Sequence, residues 1–240
     1  MTFTQQIAGV SYIQKGEGKD LLMLHGYLSN KEAWTAQIEY FSRFYKVTAL
    51  DFLGFGNSAP IPFAYSVEDY ANWLKTFMCD MGIVRPHVFA HSFGCRVAVK
   101  GASTDEELFD KILLTGPAGI ILLRGLQYKW KVKTYRIVKK IAPRYAEKHF
   151  GSKEYRSLSP LMKESYKKIV NEDLRICAEN VKNKVLIVEG KEDRVTTIEE
   201  AEIYLAHFPN ATLQLVEGDH FAFAMQPLAF NVIAEEFLYD

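Results

Sequence analysis

Short apolar runs bounded by turn residues alternate along this chain with stretches whose apolar positions recur every three to four residues. The short runs, at 10–14, 21–25, 46–50, 87–90, 112–115, 185–189 and 212–216, predict β-strands. Several are apolar without a break, the pattern of parallel strands covered on both faces. The longer stretches, at 31–41, 67–81, 93–102, 198–207 and 227–239, predict amphipathic helices. Ser66 followed by Asp69 has the capping-box spacing that would start the second of them. This alternation defines an α/β chain with a doubly wound, mostly parallel sheet.

The alternation stops between residues 119 and 181. Four helical patterns follow one another there, at 126–141, 143–150, 160–170 and 172–179, with no strand among them. Pro143 ends the first and can open the second, and Ser159-Pro160 supplies an N-cap and an N1 proline for the third. A helical insertion between two sheet strands is expected to pack as a small lid over the carboxyl ends of the strands, where α/β proteins bind ligands.

Length and composition narrow the class. At 240 residues the chain suits a single domain, 1–240, carrying the lid at 119–181 as an insertion. Hydrophobic residues at 48% and charged residues at 24% exclude disordered and low-complexity architectures. The 29 basic and 29 acidic residues cancel, which argues against a nucleic-acid binder. No basic-then-apolar leader opens the chain, and no run approaches the roughly 18 apolar residues of a membrane span. Cys79, Cys95 and Cys177 lack metal or redox spacing and read as small buried apolar residues. Together these features point to the cytoplasm.

Candidate chemistry concentrates in Val88-Phe-Ala-His-Ser-Phe-Gly-Cys-Arg-Val-Ala-Val99, an apolar strand, a small-x-Ser-x-small turn and an apolar-periodic helix. Such a turn needs small residues two before and two after its apex, here Ala90 and Gly94, so that strand and helix can pass closely. It lifts Ser92 Oγ above the sheet edge and aims the Phe93 amide, at a helix N-terminus, toward a developing oxyanion. Leu21-Leu-Met-Leu-His-Gly-Tyr27 ends an earlier strand where Tyr27 can supply a second oxyanion N–H. Leu186-Ile-Val-Glu-Gly-Lys-Glu-Asp193 ends a later strand in Gly-x-x-Asp, and Val216-Glu-Gly-Asp-His220 puts a histidine just past the last strand. Ser92, Asp193 and His220 therefore stand in the order nucleophile, acid, base. Glu189 and Glu192 rival Asp193; the first lies in the strand before the turn and the second points one residue away.

These segments, with Asp51-Phe-Leu-Gly-Phe-Gly-Asn-Ser58, resemble lid-bearing members of the α/β-hydrolase family over nearly the whole chain. The resemblance implies Ser92 as nucleophile, Asp193 as acid, His220 as base, and oxyanion donation from the backbones of Tyr27 and Phe93. It implies an esterase-like or lipase-like serine hydrolase that cleaves a carboxylic ester or thioester through an acyl-enzyme. Acyl transfer, carbon–carbon bond hydrolysis by the same triad, and a non-catalytic ligand receptor are the alternatives. Ala90 departs from the family's usual Gly, as in some of its lipases. A serine at position 92 argues against the relatives that open epoxides or remove halides with an Asp nucleophile. Leu28, Ile120, Leu122, Leu123, Phe221 and Phe223 are expected to line an apolar pocket.

Among the other candidates, His25 reads as a hydrogen-bonder under the oxyanion loop and His91 as facing away from the reacting centre. His87, His149 and His207 read as solvated or strand-edge residues, and Asp51 as ordering its glycine-rich loop. Gly54-x-Gly56 lacks the spacing of a nucleotide motif, and no metal or organic cofactor is implied. The zero net charge itself divides unevenly. Residues 124–184 hold 17 basic and 6 acidic side chains, a net of +11, against −11 elsewhere. That cationic stretch can be a solvated outer face, can attract an anionic substrate, or can touch an anionic membrane surface transiently. No stable membrane insertion is expected, and the pattern sets no oligomeric state.

Overall fold

The computed structural model describes residues 4–122 and 153–239; the helices expected over 126–141 and 143–150, and Leu123, lie outside them. Eight strands form one sheet: β1 (Thr4–Ile7), β2 (Val10–Lys15), β3 (Asp20–Leu24), β4 (Lys46–Leu50), β5 (His87–His91), β6 (Lys111–Thr115), β7 (Lys184–Gly190) and β8 (Ala211–Val216). Their order is β1-β2-β4-β3-β5-β6-β7-β8. β3 to β8 pair in parallel, while β2 is antiparallel to β4 and β1 to β2. The helices are α1 (Thr35–Phe41), α2 (Val67–Asp80), α3 (Phe93–Thr104), α4 (Lys153–Ser157), α5 (Pro160–Val170), α6 (Arg175–Glu179), α7 (Ile198–His207), α8 (Ala222–Met225) and α9 (Pro227–Tyr239). This is the doubly wound, mostly parallel α/β fold that the alternating pattern predicts.

The two-residue period of the strands divides the core. Leu22, Leu24, Val88, Ala90, Ile112, Leu114, Val185 and Ile187 face α2, α3 and α7. Leu21, Met23, Phe89, Leu113, Leu186 and Val188 face Trp34, α1 and α9. Both faces are covered, so the central strands read as unbroken apolar runs.

Five elements differ from expectation, two of them being the short helices α4 and α8, where no helix was expected. β1 was not predicted, because Thr-Gln-Gln-Ile is polar and its hairpin turns at Ala8 and Gly9, both at positive φ (47° and 78°), without the Asn-Gly or Asp-Gly signal of such turns. The helix expected over 31–41 splits into a 3₁₀ turn, Lys31–Trp34, and α1. There the Lys31 amide and Nζ both donate to the Asp51 carboxylate, at 2.8 Å each, and the two side chains form a fully buried ion pair. The helix expected at 172 starts instead at Arg175, because Asp173 accepts hydrogen bonds from the amides of Ile121 and Arg175, at 3.0 Å each. Of the cysteines, Cys95 is buried as expected, whereas Cys79 is exposed and Cys177 half-buried.

The two capping signals hold. Ser66 and Asp69 form a reciprocal capping box at α2, and Ser159 Oγ caps α5 through the Met162 amide, with Pro160 at its first position. Between β6 and β7, α5 is clamped to the sheet domain. Buried Arg96 on α3 donates from Nη1 to the carbonyls of Ile169 (2.9 Å) and Glu172 (2.8 Å), satisfying the open carboxyl end of α5. Ser165 Oγ donates to Tyr65 O at 2.7 Å and Lys168 Nζ to Ala64 O at 2.6 Å. Met162 and Ile169 close into the α2/α3 core. No helix among the described residues is long and apolar enough to cross a membrane.

Candidate active site

Ser92 stands between β5 and α3 with φ 50° and ψ −106°, a backbone conformation that costs a non-glycine residue about 1–3 kcal/mol. The surroundings impose it. The Ser92 amide donates to Thr115 O of β6 at 3.1 Å, and α3 begins at the next residue. α3 presses so closely on the end of β3 that a Cβ on Gly94 would lie 2.6 Å from Leu24 O and 2.9 Å from His25 O. Gly26 is just as confined, since a Cβ there would meet His91 Nδ1 at 2.8 Å and Ser92 Cβ at 3.3 Å. The peptide leading into Tyr27 therefore runs directly against the serine.

Asp193 and His220 meet from the ends of β7 and β8. His220 Nδ1 lies 2.7 Å from Asp193 Oδ2. Asp193 Oδ1 accepts the amides of Val195 (2.7 Å) and Thr196 (3.0 Å), an Asx-type turn. Thr196 Oγ1 donates to Asp193 Oδ2 at 2.9 Å and sits 3.1 Å from His220 Nδ1. Burial alone would raise this carboxyl. The hydrogen bond and charge of His220, with the Val195 amide, outweigh burial and hold it at about 2. Gly116 ties the pair to the serine: it follows the Thr115 that binds the Ser92 amide, and its absent Cβ would lie 3.0 Å from His220 Nδ1 and 3.4 Å from Asp193 Oδ2.

The histidines around this cluster are neutral scaffolding. His25 donates from Nδ1 to Gly26 O (2.7 Å) and accepts the Phe52 amide at Nε2 (3.0 Å), which fixes its tautomer; burial pushes it down to about 4. His91, expected to face away, is buried with Nε2 2.9 Å from His220 O. It donates there and braces the backbone of the histidine, while burial and the neighbouring His220 push it down to about 3. His87 is buried, not solvated, and burial lowers it to about 4.

The expected pocket residues divide. Tyr27 packs its ring between Phe55 (4.8 Å between centroids), Phe93 (5.6 Å) and Tyr166 of α5 (5.1 Å), with its hydroxyl 3.3 Å from Met162 O. Ile120 is buried and Leu122 partly buried on the same side of the sheet. Leu28 and Phe221 are nearly half exposed. Phe223 is a correction: it is fully buried in the opposite core, 4.4 Å from Trp34, and walls no pocket. Two contributors escaped the sequence reading. Thr196 had a signal, a threonine three residues after the acid; His91 had none beyond its place beside Ser92. A groove of about 300 Å³ lined by Met78, Cys79, Ile83 and Leu108 lies before the amino ends of β5 and β6, at the opposite end of these strands from Ser92.

The serine on its strained strand-to-helix turn and the paired aspartate and histidine thus stand together at the carboxyl ends of the parallel strands. The family model described as alpha/beta hydrolase fold matches residues 21–157, and the chain belongs to that family. A curated relative, (E)-2-((N-methylformamido)methylene)succinate hydrolase of Acinetobacter baylyi, is 30% identical over 101 residues. That match spans 42% of this chain and only 38% of the relative. A bacterial membrane phospholipase A has the same fold, with a TM-score of 0.80 at 19% identity over 99% of this chain and 85% of that one. The meta-cleavage product hydrolase of Pseudomonas fluorescens gives 0.74 at 23% identity over 96% and 94%.

Proposed function

We propose that this protein is a serine hydrolase that cleaves a carboxylic ester or thioester through an acyl-enzyme on Ser92. The observation that carries the reading is the 2.7 Å contact between His220 Nδ1 and a charged, four-times hydrogen-bonded Asp193, joined to Ser92 through Thr115 and Gly116. A carboxylate there keeps the proton on Nδ1 and leaves Nε2 free to take the Ser92 proton as the hydroxyl attacks. The backbone N–H groups of Phe93 and Tyr27 would hold the oxyanion, each typically lowering the barrier by about 3–4 kcal/mol. His220 then protonates the leaving alcohol or thiol and later activates the water that frees the acid. α5, clamped by Arg96, serves as part of the lid. Ile120 and Leu122 line the apolar side of the pocket, and Leu28 and Phe221 its rim.

A second reading, carbon–carbon bond hydrolysis by the same residues, draws on the likeness to the meta-cleavage product hydrolase. A panel of esters, thioesters, amides and vinylogous 1,5-diketones tests both. Turnover of an ester or thioester, abolished in Ser92→Ala, supports the first. Cleavage of the diketone alone supports the second, and turnover that survives Ser92→Ala defeats both.

A further inference from the structure

Glu189 is the last side chain of β7 on the α3/α7 side before the turn that delivers Asp193. That turn is rigidly placed. Lys191 N donates to Val216 O, Glu192 N to Gly218 O and Asp193 N to Gly190 O, at 2.9, 3.0 and 3.1 Å. Gly190 admits no Cβ, which would lie 2.4 Å from Asp219 O. Within this frame the Glu189 side chain has no solvent exposure, and no described donor makes a well-formed hydrogen bond to either carboxyl oxygen; its polar neighbours are the Gly190 amide and the Asp193 carboxyl, to which a protonated Glu189 can donate. Asp193, its neighbour, accepts four donors.

The titratable groups around Glu189 offer no counter-charge. They are Asp193 on the turn, Glu200 on α7 and Cys95 on α3, with His220 beyond Asp193. Two neighbouring buried carboxyls cannot both ionise cheaply. The one with donors keeps the charge and the one without keeps the proton.

We propose that Glu189 is a positioning residue for Asp193 that works as a neutral acid. While it holds its proton, one negative charge faces His220 and the turn stays packed. When it ionises, a second carboxylate stands where nothing can solvate it, and Asp193 is driven off His220. Burial, then the hydrogen bond to Asp193 and its charge, raise the Glu189 carboxyl to about 9, so the sign is fixed: activity is supported below that pH and lost as pH rises through it.

The inference rests on the serine-hydrolase reading for its kinetic arm only. In that arm kcat/KM on an ester with a non-ionising alcohol is followed from pH 6 to 10.5. The wild type should lose activity near pH 9, and the ratio of rates at pH 10 and pH 7 should rise at least fivefold in Glu189→Gln, with Glu189→Asp keeping the loss. An alkaline fall of equal size and position in Glu189→Gln overturns the proposal. The second arm needs no activity. The urea midpoint of Glu189→Gln minus that of the wild type should grow steadily from pH 5 to pH 9, and a difference independent of pH overturns the proposal even if no ester is ever turned over.

Discussion

Gly94 joins the fold to the chemistry, and Gly94→Ala should damage both. An alanine Cβ would stand 2.6 Å from Leu24 O and 2.9 Å from His25 O, where ordinary contact begins at 3.4 Å. Both obstacles are backbone atoms at the end of β3, a central strand paired on both edges, so they cannot turn aside. The amino end of α3 must therefore retreat by about 0.8 Å. Overpacking of this kind costs about 1–3 kcal/mol, and in a chain of this size each kcal/mol lowers Tm by roughly 2–4 °C. The same retreat carries the Phe93 amide away from the oxyanion, from about 2.9 Å to beyond 3.5 Å, where a hydrogen bond is lost. Losing one such donor costs on the order of 10²–10³ in kcat. Gly101, on the same helix, is the control, since its Cβ would meet the flexible end of Leu108 (Cδ2, 2.8 Å). Steady-state kinetics on an activated ester, with thermal denaturation of both variants, measures the two effects. If Gly94→Ala keeps kcat within threefold of the wild type, or resembles Gly101→Ala in both measurements, the close-packed elbow is not what positions the Phe93 amide.

Other perturbations probe the remaining parts. Asp193→Asn should lower kcat by roughly four orders of magnitude, because the amide stabilises the wrong tautomer of His220. The stability that the lowered Asp193 carboxyl contributes is present above its ordinary range near 3.8 and lost as pH falls toward about 2. Acid unfolding of the Asn variant should therefore lack that component. Lys31→Met leaves the Asp51 carboxylate buried without its counter-charge and should cost about 3–5 kcal/mol in a urea titration, while Lys31→Met/Asp51→Asn, which removes the charge and keeps an acceptor for the Lys31 and Asn57 amides, should recover part of the loss. Tyr27→Ala removes a ring wedged between Phe55, Phe93 and Tyr166. Across a series of p-nitrophenyl esters it should shift the preferred acyl chain upward by two or more carbons; an unmoved preference would mean the ring lies outside the acyl site.

What was legible in the residues and what was not follows from range. The central strands declared themselves because both their faces are covered, so Leu21 to Leu24 and Val185 to Val188 are apolar without a break. The approach of Asp193 to His220 was legible from chain order, since each follows a strand whose neighbour in the sheet is the other's. β1 stayed hidden because an edge strand needs little apolar surface and its turn uses an alanine. Phe223 looked like a pocket wall by proximity to His220, yet one short helix turn carries it through to the Trp34 core. The bracing role of His91 stayed hidden because it depends on a partner 129 positions away, which a local pattern does not record.

Reaction with a fluorophosphonate, followed by peptide mass spectrometry, asks whether Ser92 is an activated nucleophile. The expected result is a single phosphonylated residue, Ser92, with labelling abolished in Ser92→Ala and slowed at least a hundredfold in His220→Ala. A folded wild-type protein that takes no label, or takes it at a residue other than Ser92, would contradict the assignment of the triad.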